Sequence, residues 1–439
     1  MAEGITLLAS KQVCIMQPCQ TRPAPAETVP DWMNFRLASR VMDFALGVYG
    51  WPYYICTTNC CCGSDRLCTL MRRLRCCYTC RCDRVLIIKD NCCLCNTTAL
   101  LLQTAIDETD LFYVSFHDEV WKAPFVACID HSSRNIIVAI RGSIEDSLQF
   151  PYEWCGGSAV SDKAEAGDTG GSETGASQDV SRYFVHKGFL RTARYIYTKL
   201  KDEHILEDLF VLQPDYDLVI TGHSLGAGVA SVVSMLLRPL YPKVMCFAFS
   251  PPGCVVSENA VPYTREFVFS IICGDDLVPR LSVSSLQALK MSVLDALEQT
   301  SRPKYEILFK GCFRYFIESK SNIEPVVDEE AAVHIQQQSP TDPLILQGGG
   351  RRTLTYTDEQ LKSSFEIVRS TKLQCPGRIL HVTREKGDGD EPVYLSTWCD
   401  QSRFEGIKLS GSMINDHMPY FVSDVLKSLA TIPCKFSSA

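Results

Sequence analysis

Apolar positions along this chain fall into two recurring textures. Short β-rich runs occupy Leu111–Phe116, Pro124–Ile129 and Asn135–Ile140, and the polar step His131–Arg134 predicts a hairpin turn between the last two. Helical spacing follows over Phe189–Asp208. A strand is predicted at Tyr216–Ile220, then a Gly-rich turn and a helix of small residues, Leu225–Leu237. Further strands are predicted at Val244–Phe249, Glu266–Cys273, Tyr305–Phe309, Arg378–Val382 and Val393–Trp398. Helices are predicted at Val283–Gln299 and His417–Leu429, with a short amphipathic one at Asp31–Ala45. Strands that read as continuous apolar runs and alternate with helices predict an α/β fold around a mostly parallel central sheet.

Other stretches break the pattern. Residues 1–30 include the Pro-rich Thr21–Pro30 and read as unstructured. Gly156–Val180 is rich in Gly, Ser, Ala, Asp and Glu, and Asn322–Arg352 is acidic, Gln-rich and Gly-rich. Both lack apolar periodicity and are expected to be flexible surface insertions rather than core. The expected organisation is an N-terminal segment 1–50, a Cys-rich basic block 51–98 and an α/β domain 99–430. That domain carries the insertions 156–180 and 322–352, and a tail, 431–439, follows.

Composition narrows the class. With 46% apolar and 21% charged residues, the 439-residue chain is of ordinary globular type. A net charge of −8 argues against a general nucleic-acid binder. No apolar run reaches the roughly 18 to 20 residues of a membrane-spanning helix, and Ile5–Ser10 is too short for the core of a signal peptide. Of 23 cysteines, 12 lie between Cys56 and Cys95, a distribution unlike that of a small secreted disulfide scaffold. A reducing compartment with free, lipidated or metal-bound thiols is expected. The same block carries a net charge of +4 on a chain that is otherwise acidic, which suggests contact with an anionic membrane surface. Trp51, Tyr53 and Tyr54 suit either a membrane–water interface or an aromatic edge packed on the main domain.

The segment Gly222-His223-Ser224-Leu225-Gly226 carries the chemistry. Gly-x-Ser-x-Gly between a predicted strand and a predicted helix is the pattern of a nucleophile elbow. Small residues must flank so tight a turn, and Ser224 would project from the end of the sheet. The N–H of Leu225, at the helix start, would face a developing oxyanion. A serine needs an imidazole to take its proton and an acid to orient that imidazole, in the chain order Ser, Asp or Glu, His. After Glu266–Cys273 the residues Asp275 and Asp276 compete for the acid. Among the later histidines, His334 lies in a polar insertion, His381 inside a strand, and His417 in a loop before the last helix. His417 is the best placed to reach Ser224. His223 and His186 read as structural. After Asn135–Ile140, Ser143 offers an N–H and a hydroxyl for the second oxyanion contact.

Together these residues resemble the class 3 lipase family of α/β hydrolases. The matching blocks are Arg141-Gly142-Ser143, His186-Lys187-Gly188-Phe189, Gly222-His223-Ser224-Leu225-Gly226 and Asp276-Leu277-Val278-Pro279-Arg280. The resemblance implies that Asp276 rather than Asp275 is the acid, and that Ser143 is the oxyanion residue. Gly50-Trp51-Pro52, Ser115-Phe116-His117-Asp118, Ser250-Pro251-Pro252-Gly253 and Asp416-His417-Met418-Pro419 look like the sn-1-specific diacylglycerol lipases, the beta form more than the alpha. Ser143 stands where that group usually has Thr.

The resemblance implies a serine lipase that hydrolyses the sn-1 ester of diacylglycerol to 2-monoacylglycerol, such as the endocannabinoid 2-arachidonoylglycerol, and a fatty acid. The triad requires no cofactor, although the resemblance admits calcium. The expected location is the cytoplasmic face of a membrane with anionic lipids. Adjacent cysteines beside basic residues at Cys60, Cys61, Cys62, Cys76 and Cys77 suit S-palmitoylation. Cys77, Cys80, Cys92 and Cys95 alternatively have zinc-site spacing. Two other functions stay open on the residues: a general acylglycerol lipase or esterase, and an inactive metal-binding membrane adaptor.

Overall fold

Thirteen strands form among the described residues: β1 (Leu86–Ile88), β2 (Leu111–Ser115), β3 (Phe125–Asp130), β4 (Asn135–Ile140), β5 (Gly157–Val160), β6 (Tyr183–His186), β7 (Asp217–His223), β8 (Met245–Phe249), β9 (Val256–Ser257), β10 (Val268–Cys273), β11 (Leu373–Gln374), β12 (Arg378–Lys386) and β13 (Pro392–Cys399). The computed structural model describes residues 29–56, 63–74, 86–91, 93–142, 157–160, 183–298, 372–386 and 392–431. Nine strands make one sheet in the order β1-β2-β3-β4-β7-β8-β10-β12-β13. The pairs β1/β2, β4/β7, β7/β8, β8/β10 and β10/β12 are parallel. The pairs β2/β3, β3/β4 and β12/β13 are antiparallel. The architecture is α/β with a mixed, mostly parallel sheet, as the alternating texture predicts. A smaller sheet runs β11-β9-β6-β5.

Every residue of β3, β4, β8 and β10 is buried, which explains why these strands read as unbroken apolar runs. Alternate residues serve opposite faces. Ile136, Val138 and Ile140 join a core with the helices Lys187–Asp202, Ile205–Leu212 and Leu225–Leu237. Ile137 and Ala139 join one with the helices Phe35–Gly47 and Pro419–Ala430.

The helix Phe35–Gly47 begins where Asn34 Oδ1 accepts the Leu37 N–H at 2.9 Å. Its residues Ala38, Val41, Met42, Phe44 and Ala45 are fully buried against the sheet. Arg40 ties it further: its guanidinium donates to both Asp130 carboxylate oxygens at 3.0 and 2.8 Å and to the Thr104 carbonyl at 2.6 Å. The structure therefore runs across the domain boundaries drawn from sequence at 50/51 and 98/99. The helix Phe35–Gly47 supplies core to the main sheet, and β1, from the Cys-rich block, is one of its strands. Among the aromatics, Tyr53 packs at the core edge and Trp51 stays exposed.

Two further differences have local causes. The helix expected over Phe189–Asp208 is two helices, broken where His204 takes φ 52°. Gly157–Val160, inside a stretch expected to be a loose insertion, is strand β5 paired antiparallel with β6. Pairing through main-chain bonds requires no apolar alternation in Gly-Ser-Ala-Val. The rest of that insertion, the insertion 322–352 and the expected strand Tyr305–Phe309 lie outside the described residues. No helix among the described residues is long and apolar enough to cross a membrane.

Candidate active site

The site is built at the end of β7. Ser224 follows that strand with φ 59° and ψ −127°, a conformation an L-residue holds only under constraint from its surroundings. The constraint is visible on both sides. A Cβ on Gly222 would stand 2.5 Å from the Gly226 carbonyl, and one on Gly226 would stand 2.5 Å from the Ile140 carbonyl. Only glycine at both places lets the helix start lie this close to β4 and β7. The Ser224 N–H is held by the Phe249 carbonyl at 2.9 Å. Leu225 opens the helix Leu225–Leu237, so its N–H has no acceptor within the helix.

Ser224 Oγ lies 2.9 Å from His417 Nε2, and His417 Nδ1 lies 2.9 and 3.1 Å from the two Asp276 oxygens. Asp276 is fully buried and also accepts the Val278 N–H at 2.9 Å. Asp275 turns away: its carboxylate accepts from Lys408 Nζ at 2.6 Å. The acid that reaches His417 is thus Asp276. An imidazole between a buried carboxylate and a hydroxyl can take the hydroxyl proton while the carboxylate holds the resulting cation.

The other histidines are occupied elsewhere. His186 caps the helix Lys187–Asp202 by accepting the Gly188 N–H at 3.2 Å. His381 donates through Nε2 to the Gly274 carbonyl at 2.7 Å. Burial pushes each of these imidazoles down to about 4. Burial, reinforced by nearby His417, also holds His223 far below the usual histidine range. His334 lies outside the described residues, as does Ser143. Gly142, its neighbour, is packed on the elbow: a Cβ there would meet the His223 carbonyl at 2.7 Å and the Gly226 nitrogen at 3.3 Å. Cys60, Cys61, Cys62, Cys76, Cys77, Cys80 and Cys92 also lie outside the described residues, while Cys95 opens the helix Cys95–Thr104. Among the described residues no group of three or more His, Cys, Asp or Glu side chains is arranged to hold a metal.

The profile of the family described as "Lipase (class 3)" matches residues 138–286, which include the elbow and Asp276. Diacylglycerol lipase-alpha of Homo sapiens is 31% identical over 420 residues, covering 91% of this chain and 36% of that protein. Diacylglycerol lipase-beta of Mus musculus is 32% identical over 443 residues, covering 95% of this chain and 61% of that protein. Over residues 138–286 the chain is similar to the class 3 lipase family. It spans about a third of the alpha relative and three fifths of the beta relative. Among solved structures, a lipase from Rhizopus microsporus var. chinensis aligns with TM-score 0.36 and 16% identity, over 61% of this chain and 77% of that one.

Two residues of this site escape a reading by motif. Asp416 accepts the Asp275 N–H at 2.8 Å and the Ser412 hydroxyl at 2.8 Å. Tyr49 places its hydroxyl 3.0 Å from His223 Nδ1. Asp416 was visible only as the neighbour of His417. Nothing in the local sequence marks Tyr49, which lies outside the matched stretch.

Proposed function

We propose that this chain is a serine hydrolase of lipid esters whose substrate is diacylglycerol, cleaved at the sn-1 position. The observation that carries the proposal is the continuous hydrogen-bonded line from Ser224 through His417 to buried Asp276. Ser224 Oγ attacks the ester carbonyl as its proton passes to His417 Nε2. Asp276 holds the imidazolium, and the N–H groups of Leu225 and Ser143 receive the negative charge on the former carbonyl oxygen. Collapse expels the glycerol oxygen, which takes the proton back from His417. Water, deprotonated by the same imidazole, then releases the fatty acid and restores Ser224. Protein groups supply each step. The products are a 2-monoacylglycerol, such as 2-arachidonoylglycerol, and a fatty acid. The substrate class is supported by the identity shared with the diacylglycerol lipases.

The same reading places the enzyme on the cytoplasmic face of an anionic membrane. Trp51, Leu67 and Met71 are 39%, 42% and 61% exposed, on helices that also carry exposed Arg72, Arg73, Cys56 and Cys68. Apolar side chains beside basic ones suit an anionic lipid interface. Acylation at Cys60, Cys61, Cys62, Cys76 or Cys77 would strengthen that attachment. Hydroxylamine treatment is then expected to release protein from membranes; a wholly soluble untreated protein overturns this part.

The deciding experiment is hydrolysis of a 1-acyl-2-arachidonoyl glycerol by wild type and Ser224→Ala. Release of 2-arachidonoylglycerol by wild type alone is expected. No release by wild type, or equal release by the variant, overturns the proposal.

A further inference from the structure

The Tyr49 hydroxyl lies 3.0 Å from His223 Nδ1, and His223 Nε2 lies 2.9 Å from the main-chain carbonyl of His417. A carbonyl oxygen can only accept, so Nε2 carries the imidazole proton. Burial keeps the ring neutral, which leaves Nδ1 as the acceptor for the Tyr49 hydroxyl. The bonds therefore run in one direction, from Tyr49 to His223 to the backbone of His417. The His223 and His417 rings also lie side by side, with centroids 4.8 Å apart.

Tyr49 is held as firmly as its partners. It follows the helix Phe35–Gly47, and its N–H donates to the Leu46 carbonyl at 3.1 Å. Its ring packs on Tyr53 at 4.9 Å between centroids. A Cβ added to Gly142 would stand 3.0 Å from its hydroxyl. The phenol thus sits between the end of β4 and the nucleophile turn.

We infer that Tyr49 is a positioning residue of the active site, which acts through His223 to fix the backbone of His417 and so the aim of its imidazole at Ser224. The inference rests on the reading of Ser224, His417 and Asp276 as the catalytic set. His417 lies in a turn, where its N–H donates to the Ile414 carbonyl at 3.2 Å and its own carbonyl is taken up by His223 rather than by a helix or strand ladder. The imidazole must nevertheless meet an oxygen at 2.9 Å on each side. Tyr49 therefore extends the working site into the segment that precedes the family match at 138–286.

Tyr49→Phe keeps the ring and its packing and removes only the hydroxyl. On a soluble short-chain ester, kcat is expected to fall about 10- to 100-fold, the loss typical of a misplaced catalytic group. KM should change less than about twofold, because the lost bond does not touch substrate. The second variant is His223→Gln, whose amide nitrogen occupies roughly the Nε2 position and can still donate to the His417 carbonyl. In that background Tyr49→Phe should add little further loss, a non-additivity expected of residues acting through one another. In 15N-histidine-labelled protein, Tyr49→Phe should shift the His417 Nδ1 proton resonance.

Wild-type kcat per fluorophosphonate-labelled serine in Tyr49→Phe overturns the inference. So does an equal fold loss with and without His223→Gln. If wild-type protein takes up no fluorophosphonate and cleaves no ester, the catalytic reading itself fails. The resonance comparison still decides the role of Tyr49 in that case, and unchanged His417 signals overturn it.

Discussion

The carboxylate of Asp416 accepts the main-chain N–H of Asp275 at 2.8 Å, joining the residue before His417 to the residue before Asp276. Gly274 makes the approach possible: it takes φ 58°, and a Cβ there would overlap the Asp416 carboxylate. The base and its acid are thus spaced by a bond between their neighbours.

Asp416→Ala is expected to lower kcat about 10- to 100-fold by freeing that loop, whereas Asp416→Asn, which keeps an accepting oxygen, should retain most activity. Burial raises the Asp416 carboxyl above its ordinary value, against the lowering effect of the Asp275 N–H and the Ser412 hydroxyl. A carboxyl raised on folding binds more protons folded than unfolded, so its contribution to stability falls as pH rises through the interval above the ordinary carboxylate value. Thermal midpoints of wild type minus those of Asp416→Asn should fall as pH rises above about 4, the ordinary carboxylate value. A flat difference contradicts this.

Ser224→Ala and His417→Ala should each lower kcat by about 10⁴ to 10⁶, because such residues act as a unit. Asp276→Asn should cost about 10⁴. Asp275→Asn loses only a part-exposed pair with Lys408, worth about 0 to 1 kcal/mol. Single-turnover kinetics on one soluble ester ranks the four; a larger effect at Asp275 than at Asp276 would reassign the acid.

Gly226→Ala should destabilise by at least about 1 to 3 kcal/mol, the usual range for overpacking. The added carbon would stand 2.5 Å from the Ile140 carbonyl and 2.8 Å from the Gly142 nitrogen, both main-chain atoms that cannot swing aside. Urea unfolding measures the loss, and fluorophosphonate labelling of the folded fraction should fall with it.

Arg40→Ala should cost about 3 to 5 kcal/mol, the price of stranding a buried carboxylate. Burial works to raise the Asp130 carboxyl, but bonds from Arg40, Ser133 and Ser132 together leave it below the usual range. A lowered carboxyl contributes stability that is present above its unfolded value and lost as pH falls through the folded one. The gap between wild type and Arg40→Ala should therefore narrow on acidification below about pH 4. Chemical denaturation at several pH values tests both the size and the trend.

What could be read from the sequence was local. Small residues at Gly222, Gly226 and Gly228 show an elbow because the turn itself demands them, and the helix Leu225–Leu237 has the bounds expected of it. Fully buried strands betray themselves as apolar runs. Tyr49 and Asp416 were illegible as partners because the groups they serve lie 174 and 141 residues away. Three-residue β1 leaves no period to detect inside the Cys-rich block, and the break at His204 rests on one backbone angle. The helix Phe35–Gly47 was expected, but its place in the core depends on Arg40 meeting Asp130, 90 residues on.

His417 reaches Ser224 across 193 residues of chain, and strands β8, β10, β12 and β13 are laid down between them. Closing so long a loop costs entropy before any contact repays it. During synthesis the serine and the acid emerge well ahead of the base. A growing chain halted before the helix Pro419–Ala430 holds a nucleophile with nothing docked to take its proton. On the proposed catalytic reading, the site is complete only once the helix Pro419–Ala430 is seated.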